Sequence, residues 1–429
     1  MLKIGVLGGR RGDMTIKLCE KTHLAKVVAI CDRENEIIDE LKAEHGCSGI
    51  SYYNNFDDFL SHDMDAVVLA NCAHQHAPFA IRCLDKGLHV LSDVLPCQCM
   101  REAVSLVEAV ERSGKLYCYG ENYCYMPAPK EMRRLYREGK LGELEYAEGE
   151  YIHNCEPIWA DITYGERDHW RNNMYATFYC THSLGPLIHI TGLRPETVVG
   201  FELPFVDRCA RMGRRSGAAG IEMVTMNTGA VVRSIHGSLD KNSIRYTLYG
   251  TKGRMENASH DAKNGDICRL YTNFDEYDGQ CVDNPQTYLP AENEKIPLLD
   301  DCFHDGSDYY ILYNFVQAVK GNKADVIDIY EALDMFLPGL FAWFSVLDGN
   351  KPQTIPDLRN IKERDKWRSD VRCVDPEIAG ETLLPSYARC RLEVPDEVYA
   401  LIKKKYLQNK QCRINELNKT DGRKENGKN

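Results

Sequence analysis

The 429-residue sequence predicts an α/β domain with a doubly wound parallel sheet, followed by an α+β domain with a mostly antiparallel, open sheet. Three observations carry this reading. Up to residue 122, short β-branched runs alternate with amphipathic stretches. A glycine-rich turn directly follows the first run. Beyond residue 123 the strand-like runs lengthen, and helical patterns fall between or after them.

The parallel strands are expected at "LKIGVL", "AKVVAIC", "DAVVLA", "HVLS" and "KLYCYG". The helices "HAPFAIRCLDKG" and "REAVSLVEAVERSG" lie between them, each ending at a glycine that can stop a helix. In the second domain the strand candidates are "ELEYAEGEYIHN", "ETVVGFELP", "AVVRSIHGSL" and "SIRYTLYG". Residues 256–306 are polar and aperiodic and read as a long loop region. From Asp308 a helical pattern returns in "DYYILYNFVQAVKG" and "DIYEALDMFLPGLFAWFSVLDG". The last 29 residues carry Lys403, Lys404, Lys405, Lys410, Arg413, Lys419, Arg423, Lys424 and Lys428 against three acids, and read as a solvated, partly frayed helical tail. The expected division is 1–122 for nucleotide binding, 123–370 for substrate and oligomerisation, and 371–429 as an extension.

Composition narrows the function. A net charge of −11 offers no basic face for nucleic acid. The opening "MLKIGVLGG" runs straight into a strand without the parts of a leader, and no uninterrupted apolar stretch approaches the roughly 18 residues that span a bilayer. A soluble cytoplasmic protein is expected, with no membrane partner. The 18 cysteines then read as free thiols. Cys97-x-Cys99 has no second pair at zinc spacing, so no metal is expected.

"KIGVL" followed by "GGRRGDM" and a helix is the arrangement in which backbone N–H groups at a helix start hold a pyrophosphate. Gly8 and Gly9 let the chain turn and approach phosphates beside Arg10 and Arg11, and Gly12 lets helix and strand pack closely. Leu7 occupies one glycine position of the full G-x-G-x-x-G pattern. Asp32 stands twenty residues after Gly12, where an acid hydrogen-bonds a ribose 2′-hydroxyl, favouring NAD over NADP. Arg33 beside it blunts that preference.

At this point the sequence resembles the Gfo/Idh/MocA oxidoreductases, which pair an N-terminal Rossmann domain with a C-terminal α+β substrate domain. The stretch "ANCAHQHAPFAIRCLDKGLHVLSDVLP", with Asn71, His76 and His89, is similar to the family segment that leads to a Glu-Lys-Pro motif. Asp93-Val94-Leu95 occupies those three positions here, and Cys72 stands where a proline is usual. Simple dehydrogenases of the family also place an Asp four residues before a catalytic His; Phe178 occupies that position before His182. One branch shares both departures, the NAD-dependent glycosidases typified by α-N-acetylgalactosaminidases. Its histidine motif is similar to Tyr179-Cys180-Thr181-His182-Ser183-Leu184-Gly185-Pro186, and "ENYCYMPAPKEMRRLYREGKLGELEYAEGEYIHN" resembles the branch without a gap, bringing Glu121 and Tyr151 onto its functional Glu and Tyr.

The resemblance implies a tightly bound NAD that is recycled. A sugar hydroxyl, usually at C3, is oxidised, the acidified neighbouring C–H loses its proton, the glycosidic bond leaves by elimination, water adds, and the hydride returns. The catalytic candidates are His182 as general base, Tyr151 as acid or base at C2 with a lowered pKa, and Glu121, which with Asp93 would orient nicotinamide or sugar. The cofactor candidates are Gly8, Gly9, Arg10, Arg11, Gly12, Asp32, Arg33, Asn71, His76, Asp93 and Glu121. For a carbohydrate substrate, "ERDHWRNNMY" offers His169, Trp170, Arg171 and Tyr175, with Tyr179, His153 and Asp93 nearby. "DDCFHDGSDYY" gathers Asp300, Asp301, His304, Asp305 and Asp308, where Ser307 or Asp308 suits a helix cap and His304 a substrate contact. The alternatives are a simple sugar or polyol dehydrogenase whose proton acceptor has moved, and a non-catalytic NAD-binding sensor. The open second-domain sheet makes a homo-oligomer the expected assembly.

Overall fold

The computed structural model describes residues 1–46, 49–257, 267–275, 282–291 and 304–426, the side chains of 414–426 excepted. Its first sheet has six strands, β1 (Lys3–Leu7), β2 (Lys26–Cys31), β3 (Ser51–Tyr53), β4 (Ala66–Leu69), β5 (His89–Ser92) and β6 (Tyr117–Tyr119). Their order is β3-β2-β1-β4-β5-β6, and every pairing is parallel. The expected helices are present at His76–Asp85 and Met100–Ser113. Strand order reverses between β1 and β4, so the carboxyl ends of those strands open the crevice in which such sheets bind ligands. The core on one face is completed from far along the chain: Leu312, Phe315 and Val316 of the helix Ser307–Val319 pack with Ile4, Val6 and Ile16.

The second sheet has nine strands: β7 (Leu144–Ile152), β8 (Pro195–Glu202), β9 (Ala219–Met226), β10 (Val231–Gly237), β11 (Ser243–Gly250), β12 (Gly253–Asn257), β13 (Leu270–Phe274), β14 (Pro285–Tyr288) and β15 (Gln353–Thr354). It runs β14-β13-β12-β11-β7-β10-β9-β8-β15, and among the described residues β7 with β10 is its one parallel pair. The helices Thr181–Thr191 and Ile329–Leu347 pack on it. Ile329–Leu347 has the length and hydropathy of a membrane span, but 83% of the qualifying window is buried inside the protein. The fifteen cysteines among the described residues are free thiols, mostly buried.

Two expectations are corrected. The polar stretch 256–306 is not simply loop: it supplies the end of β12 and all of β13 and β14, which form one edge of the sheet and need little apolar character. Asp300 and Asp301 lie outside the described residues. Nor is the basic tail solvated throughout. It is the helix Asp396–Asn426, anchored by buried Tyr399 and Tyr406, with Lys403, Lys405, Lys410 and Arg413 all bonded to other elements.

Two glycines position the site. A Cβ at Gly149 in β7 would stand 1.8 Å from the Ser183 carbonyl oxygen, so the bare glycine is what lets the helix Thr181–Thr191 lie on the strand. That contact brings His182 beside Tyr151, two residues further along β7. Gly185 likewise leaves room for Met335 and Glu121, where a Cβ would meet atoms at 3.1 and 3.3 Å.

Candidate active site

The cofactor half is built on the turn after β1. Gly8 has φ of 93°, and a Cβ there would lie 2.5 Å from the backbone of Ala70 and Asn71. Gly12 would place a Cβ 2.3 Å from Val6, which is the close helix–strand packing read from sequence. The helix Gly9–Thr22 has no cap from its N-cap residue and no acid in its first turn, and with the Gly9 N–H taken by Asp32 the N–H groups of Arg10 and Arg11 are the ones placed for an anion. Asp32 accepts from the Gly9 N–H at 2.7 Å and the Glu34 N–H at 2.9 Å. Burial pushes its pKa up, and those two N–H groups pull against it. Asn71 Oδ1 is buried without a partner in the same cleft. A dinucleotide fits these features: a left-handed turn, a bare helix start, a ribose-facing acid and an orphaned acceptor. Gly8→Ala is expected to weaken NAD binding by about tenfold or more, because the Cβ meets backbone and φ stays positive; titration of protein fluorescence with NAD checks this.

The cleft holds about 770 Å3 and is lined by Asp32, Arg33 and Glu34, by Asn71, Asp93 and Val94, and by Tyr123, Tyr151, Tyr179 and His182. In its wall the His182 Nδ1–H donates to Glu121 Oε1 at 2.7 Å. Glu121 is fully buried and also accepts from the Thr181 hydroxyl at 2.8 Å and the Tyr123 N–H at 3.2 Å. Those bonds fix the tautomer in which Nε2 is free to take a proton. The imidazole is ringed by Tyr151, Tyr123 and Tyr179, with centroids 4.6, 4.9 and 4.9 Å away. The Tyr151 hydroxyl donates to His153 Nδ1 at 3.0 Å.

Several expectations change. Glu121 is not among the residues lining the cleft; it is buried behind His182 and bonded to it. Tyr151 does not have a lowered pKa: burial, then the neighbouring Tyr123 and Tyr179, push it well above its ordinary value. His76 is buried between the carbonyls of Leu95 and Asn71, at 2.9 and 3.2 Å, and braces the loops that carry them. Tyr175 is a core residue stacked on Trp343 at 5.3 Å, with Phe178 edge-on at 5.0 Å. Phe178, at the missing-aspartate position, belongs to the same buried packing.

Arg11 does not face phosphates freely. It binds Asp93 at 2.8 Å and Asp308 at 3.1 Å. Burial alone would raise the Asp93 pKa, but Arg11 holds it below the usual carboxylate value. Asp308 does not cap its helix: Gly306 stands at the cap, and Asp308 also binds His304 Nδ1 at 2.9 Å. Arg10 lies over the Tyr164 ring at 4.8 Å, and Arg33 is tied to Glu34 and Glu166 at 3.1 and 3.6 Å. Trp170 carries Arg171 over its ring at 4.5 Å, and His169 caps their short helix. Burial and Arg171 drive His169 down to about 3, so it is neutral. His153, His169, Trp170, Arg171, Tyr179 and His304 all line the cleft. Beyond Trp170 a second cavity of about 1380 Å3 opens among Met174, Asp375, Leu384, Tyr387 and Arg391.

Sequence reading missed Tyr123, Tyr164, Asp161 and Arg413, which share the cleft wall. Tyr123 stands two residues after Glu121 and was within reach of the motif; nothing local marks Arg413.

Sheet order, turn and acid define an NAD-dependent oxidoreductase-type enzyme. Residues 2–121 match the model of the Gfo/Idh/MocA oxidoreductase family, NAD-binding Rossmann fold, and residues 294–368 match that of the glycosyl hydrolase 109 C-terminal domain. A glycosyl hydrolase family 109 protein of Solibacter usitatus is 25% identical, over 86% of this chain and 90% of its own length. Another from Streptomyces coelicolor is 24% identical over 86% and 84%. Among solved structures, an oxidoreductase from Agrobacterium radiobacter in complex with NAD+, L-tartaric acid and magnesium superposes with a TM-score of 0.66 at 13% identity, covering 82% of this chain and 98% of that one. Myo-inositol 2-dehydrogenase from Lactobacillus plantarum gives 0.63 at 16%, covering 83% and 99%. The chain is thus similar to the Gfo/Idh/MocA oxidoreductases over its nucleotide-binding domain and to the glycosyl hydrolase 109 proteins over residues 294–368, the branch that its "YCTHSLGP" run resembles.

Proposed function

We propose that this enzyme cleaves glycosides without net redox change, by transient oxidation of a ring hydroxyl, elimination, hydration and re-reduction. The observation that carries the reading is the buried Glu121–His182 pair packed against Tyr151 in the wall of a cleft where Val94 stands in place of the usual lysine. Relatives named glycosyl hydrolases support it.

Bound NAD supplies the hydride acceptor at one carbinol carbon and the donor that restores it. His182 Nε2 takes the hydroxyl proton during oxidation, and Glu121 stabilises the imidazolium so formed. The ketone acidifies the neighbouring C–H. Tyr151, kept protonated by burial, takes that proton only by passing its own to His153 Nδ1. Burial, then His182 and Arg171, lower the His153 pKa and leave Nδ1 free to accept. The C–O bond to the leaving group breaks and that oxygen receives the proton held on the Tyr151–His153 dyad; water then adds across the new double bond, its oxygen to the vacated carbon and a proton to the neighbouring one, and His182 returns its proton to the oxidised oxygen as the carbonyl is reduced back. Arg171 on Trp170 offers a guanidinium to an anionic or polyhydroxylated substituent.

Asp32 favours NAD over NADP, since a 2′-phosphate would meet its carboxylate. A recycled cofactor requires NAD to stay bound through turnover. Free thiols fit a cytoplasmic location, and the open face of the nine-stranded sheet fits a homo-oligomer contact.

A panel of p-nitrophenyl glycosides, followed for nitrophenol and for absorbance at 340 nm together, tests the reading. Aglycone release without net NADH is expected. Stoichiometric NADH without release would show a dehydrogenase instead, and NAD binding with neither signal would point to a sensor.

A further inference from the structure

The C-terminal helix Asp396–Asn426 touches both walls of the cofactor cleft. On the second-domain wall, Asn409 Nδ2 donates to Asp161 Oδ2 and Arg413 to Asp161 Oδ1, each at 2.7 Å. Lys403 donates to the Tyr164 carbonyl at 3.0 Å, and the ring of buried Tyr406 meets Tyr164 edge-on at 6.0 Å. On the nucleotide-domain wall, Lys410 pairs with Glu36, in the helix Asn35–His45 that begins just after Asp32. Arg10 of the glycine-rich turn grips the same Asp161–Tyr164 segment from the other side, with its guanidinium over Tyr164 and a bond of 3.5 Å to the Asp161 carbonyl.

We infer that residues 403–413 complete the adenosine side of the NAD site and hold NAD between turnovers, with Arg413 as a further cofactor-facing residue. Arg413 lines the cleft with Asp32, Arg33, Glu34 and Glu40. One of its nitrogens is engaged by Asp161 and its side chain is 43% exposed, so the remaining guanidinium donors are available to ribose or phosphate oxygens. The helix bridges the nucleotide-binding domain to the 157–164 segment, and release of NAD requires those walls to part. Each exposed ion pair is individually weak. Tyr399 and Tyr406 already order the helix, so the polar contacts act together on a fixed element.

The inference rests on the NAD reading, and its test separates the two. The full chain carrying Asn409→Ala, Lys410→Ala and Arg413→Ala is loaded with NAD, and release into excess trapping nucleotide is timed. Release about tenfold faster than from wild type is expected, with an unchanged melting temperature because Tyr399 and Tyr406 remain. Asn409→Ala with Lys410→Ala, which keeps Arg413, should release NAD more slowly than the triple variant. Wild-type release should also quicken as salt rises from about 0.05 to about 0.5 M, a measurement needing no variant. Equal release rates with no salt dependence overturn the clamp. A wild-type chain that takes up no NAD overturns the nucleotide reading and the clamp with it.

Discussion

His182→Ala is expected to reduce turnover by about 10²–10⁴-fold while NAD affinity stays within about twofold of wild type. The two effects separate because the partners of His182 are Glu121 and the rings of Tyr123, Tyr151 and Tyr179, none of which belongs to the glycine-rich turn or to the Asp32 loop. In single turnover the variant should show no absorbance change at 340 nm, since the hydroxyl proton has no acceptor during oxidation. Added imidazole should recover part of the rate. Glu121→Gln keeps the shape of the buried pair but removes the charge that stabilises the imidazolium, so kcat should fall about 10–100-fold with KM little changed. Loss of NAD binding in His182→Ala, checked by calorimetry alongside a melting curve, would refute the assignment.

The nucleotide half of the site was legible because its chemistry is local. A left-handed glycine, a helix start and an acid at the next strand end are fixed by spacing along one chain segment, and all stand where sequence placed them. The second half is assembled from distant segments. His182 and Glu121 are 61 residues apart and meet only because Gly149 lets a helix lie on β7. Tyr175 illustrates the opposite failure: it neighbours Trp170 in sequence, yet its ring turns inward to stack on Trp343. The tail was misread for a physical reason too. A lysine-rich helix looks the same whether its charges meet water or the carboxylates and carbonyls of Asp161, Glu36 and Tyr164. The polar strands β13 and β14 escaped notice because a sheet edge need not alternate apolar and polar residues.

Tyr151→Phe should stop the cycle at a different point from His182→Ala. Oxidation of the ring hydroxyl needs His182, which the variant retains, whereas removal of the neighbouring C–H proton needs the Tyr151 hydroxyl and its bond to His153. The expected result is one equivalent of NADH formed and held, with aglycone release down by about 10²-fold or more. Deuterium from heavy water should enter the sugar carbon next to the oxidised one in wild type and not in the variant. The pH dependence follows from the same pair. Because the His153 pKa is lowered, Nδ1 remains a proton acceptor below the ordinary imidazole value of about 6.5, so proton removal from carbon by the dyad should persist into mildly acidic solution. The dyad's own contribution should be lost as pH drops through the lowered value and Nδ1 becomes protonated. The raised pKa of Tyr151 keeps its proton in place on the alkaline side, so the dyad itself should cause no loss of activity as pH approaches about 10. Normal aglycone release by Tyr151→Phe would mean that elimination does not pass through this hydroxyl. Stalled NADH with intact oxidation would instead divide the site into an oxidising half built on His182 and an eliminating half built on Tyr151, a division that a simple dehydrogenase does not need.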